Sequence, residues 1–113
     1  MGVIYISKKK VYSKHLEKGR FYRHYDSNGG HPALIYYKND KKNVYKSIKF
    51  TSETGSSRTK LKNNIDMNSL DDCYVHNNPV LGTRHDYSRK KWNKEFKISK
   101  EDKILINKIK RKK

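Results

Sequence analysis

Apolar and polar positions alternate with a period of two along much of this chain. Val44, Lys46, Ile48 and Phe50 fall on one face of an extended segment, and Tyr45, Ser47, Lys49 and Thr51 on the other. That is the pattern of a half-buried antiparallel strand. Pro32-Ala33-Leu34-Ile35-Tyr36-Tyr37 is the most apolar run and predicts a central strand. Pro32 stands at its first position, where a missing N–H is tolerated. Residues 38–43 between these runs are polar and read as a hairpin loop. Arg20 to Tyr25 alternates enough to be a strand, and Asp26-Ser27-Asn28-Gly29-Gly30 has turn composition. Val3 to Ile6 and Asp72 to Asn77 read as further short strands, the second stopped by Asn78-Pro79. Ser52 to Lys60, with Gly55, Ser56 and Ser57, reads as a flexible loop, while residues 15–19 and 61–70 are mixed.

One segment departs from this period. Ile98, Ile104, Leu105 and Ile109 make a narrow apolar stripe of helical spacing. Ser99 is a natural N-cap, with Asp102 at the third helical position. Glu101 and Asp102 load the positive end of this helix, and Lys108, Lys110 and Arg111 the negative end. The pattern is mainly β, of the α+β class: short antiparallel strands, hairpin loops and a terminal helix. A small twisted sheet or barrel fits it.

The chain has 113 residues, one domain's worth, and only 33% of them are hydrophobic. Nine are Tyr, which bury a ring while the hydroxyl stays wet. The expected core, about residues 16–80, is therefore small and partly aromatic, and leaves room for a partner subunit or a bound ligand to complete it. Cys73 is the sole cysteine, in a strand-like setting that favours a packed thiol over a nucleophile. Neither an apolar run of about 20 residues nor a signal-peptide core is present, so no membrane association and a cytoplasmic location are expected.

Charge changes the picture more. The formal net charge is +17. Residues 1–24 carry net +6, residues 25–88 only +2, and residues 89–113 net +9. Basic flanks at 1–15 and 89–113 thus border a nearly balanced core. Such a field draws in polyanions, and nucleic acid is the commonest.

The candidate chemistry is metal-free. No paired cysteines or His-x-x-x-His spacing suits a metal, and Gly29-Gly30 precedes a strand rather than a phosphate-binding helix. Neither metal nor cofactor is expected. RNA carries its own nucleophile in the 2′-hydroxyl, so a protein that cleaves it needs a base, an acid and donors to the phosphorane. His31 opens the central strand, and Thr51-Ser52 ends the next one. A hairpin at 38–43 returns these to one end, where Arg58 and Lys60 follow in the loop. One electropositive mouth holding His31, Thr51, Ser52 and Arg58 is the expected catalytic site. Lys49, Lys60 and the mixed cationic and aromatic stretch holding Arg84, His85, Arg89, Lys90 and Trp92 are the expected RNA contacts.

The run Gly-Gly-His-Pro-Ala-Leu-Ile-Tyr, a hairpin and a strand ending in Thr-Ser resemble the MazF/PemK-type toxin endoribonucleases and their ToxN-like relatives. Asp72-Cys73-Tyr74-Val75 is similar to that family's late strand, and Ile98 to Asp102 with Ile106 and Ile109 to its final helix. The resemblance spans roughly residues 16–110, in short motifs. It implies an SH3-like antiparallel β-barrel with a C-terminal helix. It also implies cleavage of single-stranded RNA to a 2′,3′-cyclic phosphate and a 5′-hydroxyl, and it admits an antitoxin partner, protein or RNA, and a homo-oligomer. The family's usual Arg before Pro is His31 here. Two rival readings remain: a non-catalytic RNA- or ribosome-binding module, and a DNA-binding accessory protein of a mobile element.

Overall fold

The computed structural model describes residues 15–26 and 29–112. Val3 to Ile6, the turn residues Ser27 and Asn28, and much of the basic N-terminal flank lie outside the described residues. Seven strands are formed among those described: β1 (Phe21–Asp26), β2 (Gly29–Asn39), β3 (Val44–Thr51), β4 (Arg58–Lys60), β5 (Tyr74–His76), β6 (Val80–Gly82) and β7 (Tyr87–Lys91). A 3-10 turn, Arg84–Asp86, precedes β7, and one helix, α1 (Lys103–Lys110), follows it. The protein is mainly antiparallel β with a short C-terminal helix. No described helix is long and apolar enough to cross a membrane.

The strand order is β4-β5-β3-β2-β1-β7, with β6 also paired to β3. Among the described residues no ladder joins β4 to β7, so the sheet is open where a closed barrel was expected. The β2–β3 hairpin is tighter than its composition suggested, because β2 runs on through Lys38 and Asn39. Asn43 turns the corner with φ 54°, a left-handed conformation that Asn tolerates better than most residues. Tyr36 is the extra residue of a register shift between Ile35↔Ser47 and Tyr37↔Lys46. The loop expected over Ser52–Lys60 contains strand β4 at its end.

Strand β3 is buried on both faces rather than one. Ile48 and Phe50 join Leu34, Val75, Ile106 and Ile109 in the larger core cluster. Tyr45 faces the other way, into a second cluster with Leu16, Tyr22, Ala33, Ile35 and Tyr87. Ser47, also on that side, is fully buried against Tyr87, with Ser47 Oγ 2.8 Å from the Tyr87 hydroxyl. Tyrosines supply the second core, which is why a chain poor in aliphatic residues has two.

Helix α1 begins later than its capping pattern implied. Asp102 is the N-cap itself, and its carboxylate accepts from the backbone N–H groups of Lys62 (2.9 Å) and Asn63 (3.0 Å). A buried carboxylate thereby ties the helix to the loop after β4. Ile106 and Ile109 carry the packed face, while Ile104 is exposed. Cys73 is a packed core thiol, and burial pushes its pKa up.

Candidate functional site

Antiparallel pairing brings polar side chains of five strands to one face. His24 stands opposite His31, Ala33 opposite Lys49, and Arg58 opposite His76. Residues directly opposite share a face, and so do alternate residues on one strand. His24 and Asp26 of β1, His31 of β2, Lys49 of β3, His76 of β5 and Arg58 of β4 therefore form one polar row. It borders the tyrosine-lined core, and the His24 ring packs edge-on against Tyr87, with centroids 5.2 Å apart.

One carboxylate organises the row. Lys49 Nζ donates to Oδ2 of Asp26 at 2.6 Å, and His31 Nδ1 lies 3.5 Å from the same oxygen. Burial holds His24 below its ordinary pKa, with Lys49 and His31 adding to the effect and Asp86 and Asp26 opposing it. His76 is pushed down to about 4, first by burial, then by the positive fields of Lys49, Arg58 and His31. Both imidazoles are neutral near pH 7, the form that accepts a proton. Among the described residues, Nδ1 of His24 and Nε2 of His76 are each buried without a hydrogen-bond partner, and Nδ1 of His31 has only its 3.5 Å approach to Asp26. Buried ring nitrogens normally find one, and a water or a bound ligand would supply it here.

The expected catalytic residues meet only in part. His31, Thr51 and Ser52 line one cavity of about 350 Å³. Arg58 is not among its walls; its guanidinium donates to the carbonyls of Glu53 (3.0 Å) and Thr54 (3.3 Å). Thr51 is buried, and its hydroxyl accepts from the Glu53 N–H at 3.2 Å. Thr51 and Arg58 therefore shape the loop between β3 and β4. Ser52 is exposed. Nor is the mouth uniformly electropositive, since Asp66, Asp71 and Asp72 share its lining with Lys94.

The expected RNA contacts also separate. Lys49 belongs to the histidine row. Lys60 is exposed, 3.5 Å from Asp72, and His85, Arg89 and Lys90 are exposed around β7. Arg84 is a correction: it is buried, and its guanidinium donates to the carbonyls of Tyr87, Ser88 and Arg89. Its cationic donors hold the chain's turn into β7 and are spent on backbone. Trp92 is half-buried, 5.6 Å from Phe96 between centroids, with the Arg23 guanidinium 4.0 Å above its ring. A Cβ at Gly30 would overlap the Arg23 methylenes, so glycine there lets Arg23 lie across β2 toward the indole.

Sequence reading missed His24, Asp26, His76 and Arg23. The first three lie in or beside predicted strands at alternating positions, but only the pairing register joins them to His31. Among the described residues no group of three or more His, Cys, Asp or Glu is placed to hold a metal ion. No family model matches the chain, and no curated protein is significantly similar to it in sequence.

Proposed function

We propose that this chain is a toxin-like, metal-independent endoribonuclease acting on single-stranded RNA in the cytoplasm, with the histidine row as its catalytic centre. The observation that carries the reading is the convergence of His24, His31 and His76 with Lys49 and Arg58 on one face, with His31 set beside Asp26 and the His24 and His76 rings each keeping a buried nitrogen without a partner among the described residues. A neutral imidazole, His76 or His24, takes the proton of the 2′-hydroxyl. The 2′-oxygen attacks phosphorus, and the bond to the 5′-oxygen breaks. His31, beside Asp26, returns a proton to that leaving oxygen. Lys49 stabilises the charge that builds on the phosphorane, and Arg58, held on the loop carbonyls, adds its positive field from beside His76. The products are a 2′,3′-cyclic phosphate and a 5′-hydroxyl. The resemblance to MazF/PemK-type toxins agrees with this chemistry and adds an antitoxin, protein or RNA, as the expected partner.

The test is cleavage of labelled single-stranded RNA by the full chain in the presence of a chelator. Wild type should cut. His31→Ala and His76→Ala should each lose about 10²–10⁴ in rate while retaining RNA affinity. RNA that is bound but never cut would sink the enzyme and leave a non-catalytic RNA-binding module in its place.

A further inference from the structure

The cavity beside His31 is chemically unlike the rest of this molecule. A chain of net +17 lines it with three carboxylates, Asp66, Asp71 and Asp72. Trp92 and Phe96 line it with aromatic rings, 5.6 Å apart and tilted 52° to each other, the Arg23 guanidinium lying over one face of the indole. At about 350 Å³ it is large enough to take a small planar ligand. Asp66 and Asp72 each have a lysine beside them, and phosphate is repelled by the third carboxylate, which has none among the described residues. A nucleobase is not, because it is neutral, stacks on aromatic rings and offers N–H donors at its edge.

The carboxylates differ in what already engages them. Asp66 accepts from the Asn68 N–H at 3.1 Å and lies 3.6 Å from Lys94. Asp72 lies 3.5 Å from Lys60. Among the described residues no hydrogen bond or ion pair is made by the Asp71 carboxylate, which is exposed to solvent; Asp71 uses its backbone carbonyl to accept from the Asn64 side-chain amide at 2.8 Å.

An ionised carboxylate only accepts hydrogen bonds. The base edge that satisfies both its oxygens must present two adjacent donors. Guanine does so with N1–H and the N2 amine. Adenine and cytosine each set one amine donor beside a ring-nitrogen acceptor, and uracil sets one N–H between two carbonyl acceptors. Those acceptors would face the carboxylate's lone pairs.

We infer that this cavity is a base-recognition pocket selecting guanine, with Asp71 reading the N1–H and N2 edge and Trp92 and Phe96 supplying the stacking surface. This deepens the reading of the histidine row as the site where the phosphate is handled. His31 belongs to both features, lining the cavity and standing 3.5 Å from Asp26 in the row. A base in the pocket places its own phosphodiester next to the row, so cleavage would fall beside a guanosine.

The test is a binding titration of the full chain with the 3′-monophosphates of guanosine, adenosine, cytidine, uridine and inosine. Guanosine 3′-monophosphate should bind about tenfold or more tightly than the adenosine, cytidine and uridine nucleotides, the effect of one charge-assisted hydrogen bond. The inosine nucleotide, which lacks the N2 amine, should bind about tenfold more weakly than the guanosine one without any change to the protein. Asp71→Asn should erase the guanosine preference and keep the unfolding midpoint, since the residue is exposed. Equal affinities for all five nucleotides, no binding of any, or a preference that survives Asp71→Asn would each overturn the pocket. Cleavage is scored separately on RNA with and without guanosine. Equal cutting of both removes the pocket and keeps the nuclease. A guanosine preference without any cutting removes the nuclease and keeps the pocket.

Discussion

The Lys49 ammonium and the Asp26 carboxylate meet at 2.6 Å, joining β3 to β1 across the intervening strand β2. Both side chains are largely shielded, so removing one partner of the pair costs more than at a surface ion pair. It also sets the charge seen by the histidines. Lys49 lowers the pKa of both His24 and His76, while Asp26 pulls the other way on each.

Replacing Lys49 by Met removes the cation and keeps the bulk. The His24 and His76 titrations should move up toward the ordinary value, but only part of the way, because burial is the larger cause and remains. Stability should drop by about 1–3 kcal/mol as Asp26 loses its Lys49 partner. Histidine ring-proton shifts followed by NMR across the titration check this; unmoved midpoints would mean that Lys49 does not govern the row.

His76 makes the fold sensitive to acid. In the native protein it binds a proton only near pH 4, whereas the unfolded chain binds it near the ordinary 6.5. Unfolding therefore takes up a proton between those values. Stability is lost as pH falls through that window and levels off below it. His24 is shifted in the same direction and adds to the loss. Allowing for the partial exposure of His76, its share is about 1–2 kcal/mol. His76→Gln should shrink the difference between urea unfolding free energies at about pH 7 and about pH 4.5 by that amount. An acid sensitivity equal to wild type would place its origin elsewhere.

The buried hydroxyl pair of Ser47 and Tyr87, 2.8 Å apart, is the polar link within the tyrosine core. Burial pushes the Tyr87 phenol up to about 12, against the opposing pull of the Ser47 hydrogen bond. Tyr87→Phe should cost about 1–3 kcal/mol, because Ser47 is left buried without this partner. Adding Ser47→Ala should recover part of that loss, and a double-mutant cycle by denaturant unfolding measures the coupling. Strictly additive effects would show that the two hydroxyls do not act together.

Local pattern determined a good deal here. Alternation over 44–51, the apolar run at 32–37 and the polar stretch between them were enough to identify β2, β3 and their hairpin, since side-chain period follows directly from extended backbone. A helix near the C-terminus and a packed Cys73 were legible for similar reasons. Strands β6 and β7 were not, because the three residues of β6 carry too short a pattern and β7 is mostly charged. Nor did alternation reveal that Tyr45 and Ser47 are as buried as Ile48. Which faces are covered depends on what packs above them, and Leu16, Tyr22 and Tyr87 arrive from distant parts of the chain. The site follows the same division. The sequence by itself singled out His31 and placed Thr51-Ser52 near it, through one hairpin. Only the tertiary structure set His24, Asp26 and His76 beside it, turned Arg84 and Thr51 to structural work and put three carboxylates around the neighbouring cavity. A strand's period fixes which of its own residues share a face, but the neighbouring strand and its register are set by long-range packing, and those choices decide which side chains meet.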